Sequence, residues 1–194
     1  MSRAACLGLA ALILGVAYLA PWSRWFGFFP AHMVQHMTLV ALAAPLLVLG
    51  LRLRWRVPVL AGAAAEFVVV WGWHLPAFHG LACYSTGWTL VEQASFLAVG
   101  LLVWQGALAA DDALLGAMGL LLTSMHMTLL GALLTLAPAP IYAATCPICG
   151  ALGAQQLGGI LMLAIGTPVY LLGGLWLIGR AMGSDTKDLR HETA

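Results

Sequence analysis

The chain has 194 residues, 62% hydrophobic and 8% charged, with a formal net charge of +1. A soluble domain usually carries about a quarter charged residues, so this composition excludes a water-facing globular domain, and the charge gives no footprint for nucleic acid. The composition predicts an all-α polytopic transmembrane helix bundle over residues 1–182 and a polar cytoplasmic tail over residues 183–194.

A spanning helix needs about 20 mostly apolar residues, and a helix satisfies its own backbone hydrogen bonds in lipid. Six apolar runs meet that need, at residues 4–20, 30–50, 57–75, 88–109, 113–136 and 153–178. The first run is short. Pro21 directly after it favours an uncleaved span over a signal peptide. The second opens on His32-Met33-Val34-Gln35-His36-Met37. A four-residue spacing puts His32 and His36 on one helix face, with Met33 and Met37 on another about 100° away. Imidazole binds several transition metals, and thioether sulfur favours Cu(I). Met33 stands where a zinc-protease helix would need its glutamate.

Arg52, Arg54 and Arg56 follow this span. With Arg3, Arg180, Lys187 and Arg190 they put seven basic residues on one side of a six-span bundle, against Arg24 on the other. Basic residues mark the cytoplasmic side, so both termini are expected there. The third run carries Glu66, a carboxyl at mid-depth that needs a partner, either a histidine to orient or the backbone. It ends on Trp71-Gly72-Trp73-His74-Leu75-Pro76, whose tryptophans read as interfacial anchors. The connection at 76–87 reads as a loop carrying His79, Cys83 and Tyr84, and Glu92 and Gln93 open the fourth span near water. Met125-His126-Met127 lies about 15 Å below the outer end of the fifth span, where a histidine needs a partner.

Cys146-Pro147-Ile148-Cys149 falls in the last outer connection. A single C-x-x-C suits a disulfide or redox pair, or part of a metal site. Gly158-Gly159 and Gly173-Gly174 predict close helix contacts. All histidines except His191 fall in the outer half. The candidate metal ligands are therefore His32, His36, His74 and His126, with Met33, Met37, Met125, Met127, Glu66, His79, Cys146 and Cys149 as auxiliaries and Cu(I) as the ion. Two alternatives stay open. One is a b-type haem carrier ligated by two histidines such as His36 and His126. The other is a membrane thiol oxidoreductase using Cys146 and Cys149.

Four blocks in order carry a family likeness. They are the His32–Met37 motif with Ala44-Pro45-Leu46-Leu47-Val48-Leu49-Gly50; Trp73-His74-Leu75-Pro76; His126 with Leu130-Gly131-Ala132-Leu133-Leu134-Thr135 and Ala137-Pro138-Ala139-Pro140-Ile141-Tyr142; and Gln155-Gln156-Leu157-Gly158-Gly159. Over residues 30–172 the chain resembles the CtaG-type cytochrome c oxidase assembly factors of bacterial membranes. The resemblance implies a non-enzymatic multi-pass protein of the bacterial inner (plasma) membrane that matures a haem-copper oxidase. It implies copper binding and delivery at the extracytoplasmic side, with an oxidase subunit or copper chaperone as partner beside membrane lipid. The family's histidine motifs map onto His32, His36, His74 and His126. Ala154 stands where the family carries an acidic residue and Leu163 near an expected tryptophan. The Cys146 and Cys149 pair looks like a local addition.

Overall fold

A computed structural model describes residues 2–53, 55–149 and 151–192, with side chains described to residue 183. Arg54 and the side chains of Lys187, Arg190 and His191 thus lie outside the described residues. All regular structure described is helical. Among the described residues, four helices are long and apolar enough to cross a membrane: Phe28–Leu51, Thr86–Leu108, Ala113–Leu136 and Leu152–Gly183. A fifth is counted if Val59–His74 and Pro76–Tyr84, bent by 72° at their junction, form one span.

Helix α1 (Arg3–Leu19) starts on the Ser2 hydroxyl, which accepts from the Ala5 N–H, and buries the small residues Cys6, Ala10 and Ala17. Helix α2 (Trp22–Phe26) is a short aromatic turn with Trp25 and Phe26 exposed. Gly27 then turns the chain at φ +91°, a conformation that glycine adopts without a steric cost.

The next span is two α-helices, α3 (Phe28–Met37) and α4 (Ala44–Leu51), joined by a π-helical segment at Thr38–Ala43. Pro45 explains the segment. It has no N–H, and its ring crowds the carbonyl four residues back. A widened turn just before it absorbs both effects. The Val40 carbonyl on this turn is taken up by other helices. It accepts from the Trp104 indole at 3.0 Å and from the Tyr170 hydroxyl at 3.0 Å. Tyr170 also meets the Glu66 carboxyl in a short hydrogen bond. A hydroxyl has one proton to give, so the set is complete when the carboxyl donates to Tyr170 and Tyr170 donates to Val40.

Helices α5 (Val59–His74), α6 (Pro76–Tyr84), α7 (Thr86–Leu108), α8 (Ala113–Leu136) and α9 (Leu152–Glu192) complete the bundle. The turn after α4 is pinned from α7, where the Gln105 amide donates to the Leu53 and Trp55 carbonyls. The polar tail continues α9 as helical backbone to Glu192.

Glycines set the closest helix approaches. A Cβ at Gly158 would meet the Phe29 ring at 2.5 Å, and one at Gly159 would meet Thr135 and the Gly131 carbonyl. Cβ atoms at Gly173 and Gly174 would meet Trp104 and Leu121. Both expected pairs are thus helix contacts. Gly100 lies against the π segment, where a Cβ would sit 2.9 Å from the Val40 Cα. Backbone cannot yield as a side-chain tip can, so Gly100→Ala is expected to cost about 1–3 kcal/mol. Thermal unfolding in detergent should show a lowered midpoint, and an unchanged midpoint would mean that α7 moves away freely.

Candidate metal centre

Three segments bring the imidazoles together at the end of the bundle opposite Arg52. Helix α3 supplies His32 and His36 from one buried face. Helix α5 ends on His74, because Pro76 cannot continue it and the chain bends there. The bend starts α6 with Pro76 in its first turn, where a missing N–H costs nothing. His79 therefore sits on a helix, not in the expected loop. It is 2% exposed.

The rings form two close pairs. His32 and His79 have centroids 5.2 Å apart, and His36 and His74 have centroids 5.3 Å apart. His36 also stacks on Phe96 at 4.0 Å. The His74 Nδ1 lies 2.6 Å from the Val70 carbonyl. A carbonyl only accepts, so Nδ1 carries the proton and Nε2 presents its lone pair. Such a backbone contact fixes tautomer and ring orientation, as it does for metal-ligating histidines. Among the described residues, the His74 Nε2, the His32 Nε2 and both His36 nitrogens are buried with no hydrogen-bond partner, as are both nitrogens of the more distant His126. Glu92 enters the same group, its Oε1 3.5 Å from the His32 Nε2, with both oxygens otherwise unpaired. His32, His79 and Glu92 each offer a ligand atom within 4.8 Å of the other two.

The connection between α8 and α9 closes this end. The Gln155 amide donates to the Leu134 carbonyl while its oxygen accepts from the Ile141 N–H at 2.7 Å. That anchors the turn carrying Tyr142, whose hydroxyl donates to the His74 carbonyl at 2.9 Å. Burial, with the Glu92 carboxylate adding to it, pushes the Tyr142 phenol well above its ordinary range, so it stays a donor. Cys146 and Cys149 follow, with the His79 Nε2 3.4 Å from the Cys149 Sγ.

The profile of the cytochrome c oxidase caa3 assembly factor family (Caa3_CtaG) matches residues 1–184. The chain belongs to this family. No curated protein and no solved structure matches it. Membership, with the apolar helices above, makes it a membrane protein that works on cytochrome c oxidase during assembly.

In this assembly factor the expected site residues fall into distinct settings. His32, His36, His74 and His79 converge. His126 does not join either ring pair. Its ring meets Phe67 edge-on, and it lines an apolar groove between α5 and α8 with Leu60, Ala63, Leu122 and Met125. Met33 and Met37 point at α9, against Gly158 and Gly166. Met127 is buried in the main core, and Met125 is mostly exposed. Glu66 is engaged with Tyr170 beneath the π segment and does not orient a histidine. Trp73 donates to the Ser95 hydroxyl on α7, a link between helices.

Glu92 is the acidic partner that sequence reasoning placed too close to water. The signal was its spacing with Phe96, Val99 and Val103, all buried on one face of α7. Cys83 was read without a role because it falls in the connection between two apolar spans. On helix α6 it shares a face with His79, four residues before it.

Proposed function

We propose that this assembly factor binds Cu(I) in the buried imidazole group and passes it by ligand exchange to an oxidase subunit or copper chaperone, at the extracytoplasmic face of the bacterial inner membrane. His32, His36 and His74 are the ligands, with His79 and Glu92 beside them. The observation that carries this reading is the convergence of His32, His36, His74 and His79, among whose buried ring nitrogens four have nothing to bond. Leaving such a group unsatisfied costs about 1–3 kcal/mol, and several together in an apolar bundle point to an ion that satisfies them. Imidazole suits copper, the Val70 carbonyl orients one ring, and the Glu92 carboxyl offers charge beside the cation. Ligand exchange makes and breaks only coordination bonds, so the role needs no catalytic group. His126 stands outside the proposed set, because its groove does not reach the other rings.

The test is elemental analysis and a visible spectrum of protein purified from copper-supplemented cells. Copper stoichiometric with the chain and no Soret band is expected. A Soret band without copper would overturn the reading in favour of a haem carrier.

A further inference from the structure

The imidazole group has a neighbour rich in sulfur. The Cys146 Sγ lies between the Cys83 and Cys149 sulfurs, close to both. A sulfur joins only one disulfide, so any oxidised form of this trio leaves one sulfur over. The fourth cysteine, Cys6, cannot complete a pair, since it is buried on α1 against Gly50, at the opposite end of the bundle. A structural crosslink needs two cysteines, whereas three with an imidazole make a ligand set. The His79 Nε2, Cys146 Sγ and Cys149 Sγ all lie within 4.8 Å of one another. Cys146 and Cys149 are buried, and Cys83 is partly exposed.

The backbone around the group brings α6 and the cysteine turn unusually close. A Cβ at Gly80 would lie 2.9 Å from the Thr145 carbonyl. The residue after His79 and the residue before Cys146 are therefore in backbone contact, which only a glycine permits. Within the same turn, the Cys146 N–H bonds the Tyr142 carbonyl at 2.8 Å and the Cys149 N–H bonds the Cys146 carbonyl at 2.9 Å. These bonds hold both sulfurs on the α6 side.

We propose that Cys83, Cys146, Cys149 and His79 form a second metal site, a Cu(I)–thiolate port. Thiolate sulfur is the ligand that selects Cu(I), and thiols must lose their protons to ligate. Each ligating thiol releases its proton to solvent and exchanges an S–H bond for an S–Cu bond. Copper stays Cu(I), and no electron moves. His79 belongs to both the sulfur group and the group with His32 and Glu92. It is the shared residue through which an ion taken at Cys83 reaches the imidazoles, a transfer that rests on the function proposed above. A disulfide within the trio consumes two ligands, so the port works in its reduced form.

The test is anaerobic titration of the reduced full-length protein with Cu(I) buffered by a chelator. Sulfur ligation is read from the ultraviolet sulfur-to-copper charge-transfer band and from Cu–S scattering in X-ray absorption. The wild type is expected to show both signals, and Cys149→Ser and Cys83→Ser to lose most of them. Cys6→Ser, far from the port, is expected to leave them unchanged. Wild-type protein pre-treated with a disulfide-forming oxidant is expected to lose the signals and regain them on reduction, a readout that needs no variant to fold. No Cu–S signal in the reduced wild type, or a full signal in Cys149→Ser, overturns the port. The His36→Ala/His74→Ala variant is expected to keep the Cu–S signal while losing the copper held by imidazoles without sulfur. Failure of the imidazole site therefore reads differently from failure of the port.

Discussion

The His36→Ala/His74→Ala variant is expected to lose its nitrogen-bound copper, with affinity falling by more than about 100-fold. Removing even an outer partner of a metal ligand costs about 10- to 100-fold, and this variant removes two direct ligands. The choice follows from the rings. His36 has both nitrogens unpaired, and His74 has its Nδ1 held by Val70 so that Nε2 faces outward from that bond. The pair comes from different helices, 5.3 Å apart between centroids, so neither ring alone holds an ion. Chelator competition with Cu(I) checks the affinity, and the copper content of the oxidase in cells carrying the variant checks the consequence. His126→Ala is the contrast. It is expected to keep the nitrogen-bound copper, because its ring sits against Phe67 in a separate groove. If His126→Ala abolishes copper while the double variant binds normally, the ligand set has been drawn on the wrong helices.

Trp104→Ala is expected to produce the largest loss of stability, about 3–5 kcal/mol, as for other buried aromatic truncations. Lipid is as apolar as a side chain, so packing and hydrogen bonds, more than escape from water, hold membrane helices together. Trp104 contributes both. Its ring stacks on Tyr170 with centroids 5.3 Å apart and lies so close to Gly173 that a Cβ there would sit 2.8 Å from it. Its N–H also caps the Val40 carbonyl. Trp104→Phe separates the two effects. It keeps most of the ring volume and loses the N–H, and Val40 retains its bond from Tyr170. A loss of about 0.5–1.5 kcal/mol is expected for that variant, the scale of one hydrogen bond. Thermal unfolding in detergent ranks the two. Equal losses would show that the cap, not the packing, dominates. Because the π segment begins one residue after Met37, Trp104→Ala should also weaken copper binding by disturbing the helix that carries His36.

Much of the architecture was legible because lipid imposes simple rules. Low charge and recurrent apolar runs required helices, and glycine pairs marked the close contacts. Pro45 was visible, yet its consequence was not. Whether a proline kinks, breaks or widens a helix depends on what donates to the freed carbonyls, and Trp104 and Tyr170 lie 64 and 130 residues away from Val40. The reading of 76–87 as a loop failed for a local reason. Pro76 and Gly80 break a helix interior, but Pro76 starts this one and Gly80 serves a contact.

The sequence by itself determined a helical membrane protein, the i, i+4 face shared by His32 and His36, and the blocks that identify an oxidase assembly factor. Periodicity and motif spacing are properties of one segment, so one segment suffices to state them. Only the tertiary structure decided which polar groups meet. It paired His32 with His79 and His36 with His74, moved the acidic partner from Glu66 to Glu92, set His126 apart, and joined Cys83 to Cys146 and Cys149. Each of these depends on the rotation of one helix about its axis against another. A rotation of about 100° carries a face to the next residue, and it is fixed by side chains far apart in the chain.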